Sequence, residues 1–333
     1  MGLMEFIFGK EGESIDSPSR VVNKIGSVQT IVYRGSGLKH RDFCHDFLVH
    51  HETEDFFVGA VMDGCSNSLH SQFPSALFGK IFNLLLRTRK QLDNTDPMRE
   101  PRLIAESLMF DFCIELSRIK QSLALANNEL HCTIVLEVYS KERDKLFVIG
   151  FGDGYVHVDG QGYRIENTRY GDTVVDGVVF EGKNKPDYLI DDIDRFMEKY
   201  TEWDALWPGF DYTTDSDKEE WATMEQETRD GFQVWFSDKQ PTFEFENVHD
   251  FSIATDGIYS FRCGKDDVTD RVIELLLDRK TGYCGVSPET LRKKMNIISF
   301  RNKEGEEPHR DKMNAVNDDD LSVIRVVVEK VEA

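Results

Sequence analysis

FFVGAVMDGCSNS, residues 56–68, decides the fold. An apolar run, FFVGAVM, stops abruptly at Asp63 and Gly64. Its length and its aromatic and β-branched content read as a strand buried on both faces. Asp-Gly is a common turn pair, which is the plain explanation of the acid. A cation held at the strand end is the functional one. The choice between them depends on whether other strands end the same way.

Three do. KLFVIGFGDG brings an apolar run to Asp153–Gly154, and FSIATDG brings another to Asp256–Gly257. DDDLS, residues 318–322, precedes the final strand. The chain holds six Asp-Gly pairs, so any one of them reads first as a turn. Acids at the ends of several strands, drawn from distant parts of the chain, make sense together if those ends converge on a cation. Clustered carboxylates alone repel one another and take up protons, and a divalent ion removes that cost. All-oxygen ligands favour Mg²⁺ or Mn²⁺ over zinc. A glycine after the acid allows close backbone approach.

Outward from these runs, the elements follow in a definite order. SVQTIVY (27–33) alternates as a strand, and HDFLVHHETEDFFVGAVMDG reads as two strands joined by a polar turn. A helix is expected from Ser71, with Leu77, Ile81, Leu84 and Leu85 on one face, and a longer one over 102–124. HCTIVLEVY, KLFVIGFGDGYVHV and QGYRI form a meander with turns at KERDK and DGQG. GFQVWF and FSIATDGIYSF return to strand. DDVTDRVIELLLDRK and SPETLRKKMN read as helices, and DDDLSVIRVVVEKV closes with a strand. Short turns join many of the strands, which argues for antiparallel sheets layered with helices over a doubly wound parallel sheet. Residues 1–25 read as a loose lead-in, 26–333 as a single domain, and 165–245 as an insertion or flap within it.

Composition narrows the function. Of 333 residues, 40% are hydrophobic and 30% charged, as in a soluble globular chain. The formal net charge of −21 makes nucleic acid and anionic membrane surfaces poor partners. The acid is concentrated in DDIDRFMEKYTEWD and DYTTDSDKEEWATMEQETRD, which read as solvated helical faces. The six cysteines form no Cys-x-x-Cys pair, no apolar run spans a bilayer, and the N-terminus is no signal peptide. A reducing cytoplasmic location is the expectation. HRDFCHDFLVHH fits no common zinc spacing, GFGDG is not a dinucleotide fingerprint, and DYTTDSDKEE lacks the glycine of a calcium loop.

RGSGLKHRDFCHD, VMDGCSNSLHS, CTIVLEVY followed by FGDG, ATDGIYSF and DDDLSVIRV, in that order, resemble the metal-dependent protein Ser/Thr phosphatases of type 2C, nearest their bacterial branch. The motifs span residues 27–328, and each is short. The resemblance implies an α+β fold, a four-layer α-β-β-α sandwich of two antiparallel sheets flanked by helix pairs. It implies two Mg²⁺ or Mn²⁺ ions at one end, a third more weakly held, and hydrolysis of phosphoserine and phosphothreonine by a hydroxide bridging the pair. On this resemblance Asp63 bridges the ions and Gly64 offers its carbonyl. Asp256 and Asp319 complete a metal shell, Asp46 is the acid of the first motif, and Asp153 helps hold the third ion. Arg41 grips the phosphate, with Arg34 as its rival, and His45 or water protonates the leaving oxygen. Partners would be a phosphoprotein and a cognate Ser/Thr kinase, and the chain is expected to be a monomer.

Three positions depart from the family pattern. His45 stands where Glu or Gln is usual, Cys65 where many members carry histidine, and Asp320 where asparagine is usual. His45 and Cys65 support the alternative, a catalytically inactive member of the fold acting as a phosphoprotein-binding or kinase-associated scaffold. The retained acids support the enzyme.

Overall fold

The computed structural model describes residues 28–38, 44–65, 72–88, 99–166, 168–169, 173–175, 178–180, 185–186, 188–190, 193, 230, 232–233, 236, 241–277, 290–298 and 315–329. The expected lead-in over 1–25, and most of the expected insertion over 165–245, lie outside them.

Ten strands build two antiparallel sheets. They are β1 (Val28–Gly35), β2 (Asp46–Glu52), β3 (Phe56–Gly64), β4 (Cys132–Ser140), β5 (Lys145–Phe151), β6 (Asp153–Val158), β7 (Gln161–Glu166), β8 (Thr242–Glu246), β9 (Asp250–Ala254) and β10 (Leu321–Val328). One sheet runs β8-β5-β4-β3-β2 and the other β1-β10-β9-β6-β7. Helices α1 (Gln72–Thr88) and α2 (Pro101–Ser122) cover the first sheet. Helices α3 (Thr269–Leu277) and α4 (Thr290–Ile298) cover the second. This is an α-β-β-α sandwich.

Strand parity sorts the side chains into three apolar layers. Along β4, Ile134, Leu136 and Val138 face the helices, where Phe78, Phe82 and Phe112 pack as a ring cluster. Val135 and Tyr139 point the other way and meet Val156, Phe251, Ile253 and Ile324 of the second sheet. The third layer joins Leu321 and Val323 to Val272, Leu276 and Leu291. Burial on both faces explains why β3 reads as an apolar run up to Asp63, and why β4 and β10 are predominantly apolar.

Four local expectations need correction. Leu84, expected on the apolar face of α1, is 39% exposed, and FSIATDGIYSF is strand only to Ala254 before a 3-10 turn at Asp256–Tyr259. β5 ends at Phe151, so Asp153 does not terminate that strand but opens β6 in the opposite sheet. Gly152, at φ +87°, makes the corner between the sheets, a conformation suited to glycine. GFQVWF was expected as strand, yet Phe232 and Phe236 are helical and fully buried against the helix-side core. Their i,i+4 spacing puts both rings on one helix face, and a short aromatic run does not separate that from a strand.

Candidate metal centre

The acids gather at one end of the sandwich because the strands deliver them there. Asp46 opens β2 and Asp63 lies near the end of β3, and the two are direct cross-strand partners. Their carboxyls are in hydrogen-bond contact. Asp46 is fully buried, whereas Asp63 keeps an edge toward solvent. Asp256 starts a 3-10 turn, Asp256–Tyr259, directly after β9, and Asp319 lies just before β10. Both are half-buried.

Electrostatics record the convergence. Desolvation, then the charges of Asp46 and Asp256, and more weakly that of Asp319, raise the Asp63 carboxyl well above the ordinary carboxylate range. Desolvation pushes Asp46 up to about 7, against the pull of hydrogen bonds from Thr255 and Asp63, with Asp320 and Asp256 adding to the rise. Carboxyls this close cannot all ionise without a compensating charge. Asp153 shares the neighbourhood, since it and Asp63 both act on the buried hydroxyl of Tyr188.

Thr255 holds Asp46 in place. Its Oγ1 donates to Asp46 Oδ2 at 2.6 Å and accepts from the Ser322 N–H at 3.0 Å. Its own N–H donates to the Ser322 carbonyl at 3.1 Å. One threonine thus ties the first sheet to two strands of the second at the acid end. Asp46 Oδ1 is left buried with no hydrogen-bond donor among the described residues. A buried carboxylate oxygen without a donor is costly, and a cation answers that need. The donor set, all carboxylate oxygen, fits a hard divalent ion such as Mg²⁺ or Mn²⁺. Among the described residues, no three His, Cys, Asp or Glu side chains form a ready-made cage.

Backbone packing explains the surrounding glycines and the departure at 320. A Cβ on Gly257 would stand 1.6 Å from the Asp320 carbonyl oxygen, and one on Gly37 would stand 2.2 Å from that of Asp319. The turn carrying Asp256 and the loop RGSG are therefore pressed onto the backbone of the last acid pair. Ser260 stitches the same turns, donating to the Gly257 carbonyl at 2.8 Å and accepting from the Asp319 N–H at 3.2 Å. Asp320 is buried and accepts the N–H groups of Gly37 at 2.8 Å and His45 at 2.5 Å. Its two oxygens serve two donors, which an asparagine, with one carbonyl oxygen, would share less well. Gly257→Ala is expected to lower stability by about 1–3 kcal/mol, because rigid backbone meets the added methyl. Thermal denaturation with an unchanged midpoint would contradict that contact.

The remaining candidates are placed as follows. Gly64 pairs with Cys132 and donates its N–H to the His45 carbonyl at 3.3 Å. His45 is half-buried, and its carbonyl also accepts the Ser75 hydroxyl. Arg41 lies outside the described residues. Its rival Arg34 donates Nη2 to the Cys44 carbonyl at 3.1 Å and lies 5.2 Å from the Phe47 ring centroid, anchoring the strand that brings in Asp46. Cys65 is half-buried and donates its N–H to the His131 carbonyl at 3.2 Å. Two residues of the site carry no signal that sequence reading used. Thr255 sits inside ATDG but looks like any strand-end threonine, and Tyr188 comes from the expected insertion.

No family model matches the chain, and no curated protein matches it. Solved structures do. RsbX in complex with magnesium is 13% identical over 93% of this chain and 99% of that one, with a TM-score of 0.42. A bacterial serine phosphatase is 10% identical over 91% and 99%, at 0.48. The PP2C phosphatase domain of SpoIIE from Bacillus subtilis, with a fragment of its regulatory domain, is 12% identical over 93% of this chain and 66% of that one, at 0.45. No helix among the described residues is long and apolar enough to cross a membrane. The solved structures similar to this chain thus include a PP2C phosphatase domain and a bacterial serine phosphatase.

Proposed function

We propose that this chain hydrolyses phosphoserine and phosphothreonine in proteins, as a type 2C phosphatase working with two Mg²⁺ or Mn²⁺ ions. The observation that carries the reading is the meeting of acids from four separate stretches. Asp46 and Asp63 touch, and Asp256 and Asp319 raise the Asp63 carboxyl from two other loops. Phosphate monoesters hydrolyse extremely slowly in water, so a large barrier must be removed. When bound, two divalent ions supply Lewis acidity at phosphoryl oxygens and a water nucleophile at neutral pH.

The residues of the chain do the rest. Asp63, Asp256 and Asp319 would hold the ions, joined by the Gly64 carbonyl. Asp46, fixed through one oxygen by Thr255, keeps the other for a cation. Asp153 serves a third, weaker ion. Arg41 grips two phosphoryl oxygens in parallel, a geometry lysine cannot copy. His45 gives the departing serine or threonine oxygen its proton. Cys65 needs no role as nucleophile. The substrate is a phosphoprotein, and a cognate Ser/Thr kinase would place the phosphate.

Assay of phosphopeptides with and without Mn²⁺, together with calorimetric Mn²⁺ titration, tests this. Hydrolysis that appears with Mn²⁺ and disappears with chelator is the expected result. Absence of both turnover and Mn²⁺ binding would leave the scaffold reading in its place.

A further inference from the structure

Tyr188 belongs to a segment expected to be an insertion, yet it reaches the metal end of the sandwich and is only 7% exposed. Leu189, Ile190 and Ile193 follow it and are buried in the same core as α1 and α2, so the segment is anchored there. The Tyr188 ring lies flat on His131, with centroids 4.4 Å and planes 12° apart. Its hydroxyl faces the Cys65 side chain, which acts on it together with Asp63 and Asp153. Cys65 in turn donates its N–H to the His131 carbonyl at 3.2 Å. Tyr188, His131 and Cys65 thus close a ring of contacts at the end of β3 that carries Asp63 and Gly64.

Packing alone does not call for this hydroxyl. Phenylalanine would fill the same space and stack on the same imidazole. A thiol is a weak hydrogen-bond partner, so burying a phenol against it adds little stability. The phenol also stands in the field of Asp63 and Asp153, where a neutral hydroxyl can steady the strand end without adding charge.

We propose that Tyr188 is a positioning residue: through its hydroxyl beside Cys65 and its ring on His131 it fixes the strand end Asp63–Gly64–Cys65, so the segment that carries it sets how tightly the acid cluster holds a divalent cation. This rests on the metal-dependent reading above. Residues that orient metal ligands from behind commonly change affinity tenfold or more when removed.

The test is calorimetric Mn²⁺ titration of the metal-free full chain, with its thermal midpoint measured alongside, for wild type, Tyr188→Phe, Tyr188→Leu and Asp63→Asn. Tyr188→Phe should weaken Mn²⁺ binding about tenfold while the metal-free midpoint stays put. Tyr188→Leu should weaken it further and lower the midpoint as well. Wild-type affinity in Tyr188→Phe overturns the proposal. So does an affinity loss in Tyr188→Phe that is matched by a fall in its metal-free midpoint, since that makes Tyr188 a packing residue. If Asp63→Asn binds Mn²⁺ like wild type, or wild type binds none, the metal-dependent reading itself has failed and this inference falls with it.

Discussion

Asp63→Asn should reduce Mn²⁺-dependent hydrolysis of a phosphopeptide by on the order of 10³-fold or more, while the protein stays folded. Asparagine keeps the shape of the side chain and removes its charge. Asp63 sits in hydrogen-bond contact with Asp46, and Asp256 and Asp319 act on it through space. In the absence of metal these acids oppose one another, so neutralising one relieves repulsion and should leave the thermal midpoint unchanged or raise it. In the presence of metal the same change removes the ligand proposed to bridge both ions. Stability and activity should therefore move apart. Near-normal turnover in the variant would sink the mechanism, and a lost fold would contradict the electrostatic account. Circular dichroism and a phosphate-release assay on one preparation distinguish these outcomes.

Glu137 should show the second large effect, in stability. It lies in the middle of β4, pairs across the sheet with Gly59 and Val148, and is 0% exposed. It shares strand parity with Val135 and Tyr139, so it points into the apolar layer between the sheets. Neither carboxyl oxygen has a hydrogen-bond partner among the described residues. Gly59 makes room for it, since a Cβ there would stand 2.6 Å from Oε1. Burying a carboxyl without a partner costs several kcal/mol, so Glu137→Leu is expected to stabilise the protein by about 2–4 kcal/mol.

The pH dependence follows from the same burial, which raises Glu137 well above its ordinary value of 4.5. Below that value both folded and unfolded states hold the proton, and nothing is lost. Above it the unfolded chain ionises while the folded one stays neutral. Stability then falls as pH rises, by about 1.4 kcal/mol per unit for this group, until the folded pKa is reached. Glu137→Gln stays neutral throughout. Its advantage over wild type should be smallest near pH 4 and grow toward neutrality in urea titrations. An advantage independent of pH would show that Glu137 is ionised in the folded protein.

Much of this molecule is legible without coordinates, for identifiable reasons. Runs such as FFVGAVM and the β-branched VIRVVV announce strands because burial on both faces demands mostly apolar side chains. The acids beside Gly64, Gly154 and Gly257 stand out because charge at the margin of such a run is unusual. The misread segment GFQVWF shows the limit. Its aromatic residues suit a strand, but the placement of Phe232 and Phe236 comes from packing on α2 and β5, seen in their rings against Phe110 and Phe147. Glu137 offers a sharper case. LEVY looks like ordinary alternation with a polar residue facing water, and nothing local says that a second sheet covers that face.

By itself the sequence determined most of the strands and helices and marked the acids at their margins, since both depend on neighbouring residues and on the two-residue period of a strand. Only the tertiary structure decided what each acid meets. Asp319 and Asp320 are adjacent, yet one acts on the Asp63 carboxyl while the other is spent on the N–H groups of Gly37 and His45. Thr255 finds Asp46 across 209 residues of chain. Contacts at that range arise from closure of two sheets over a shared core, and local spacing carries no information about which ends then coincide.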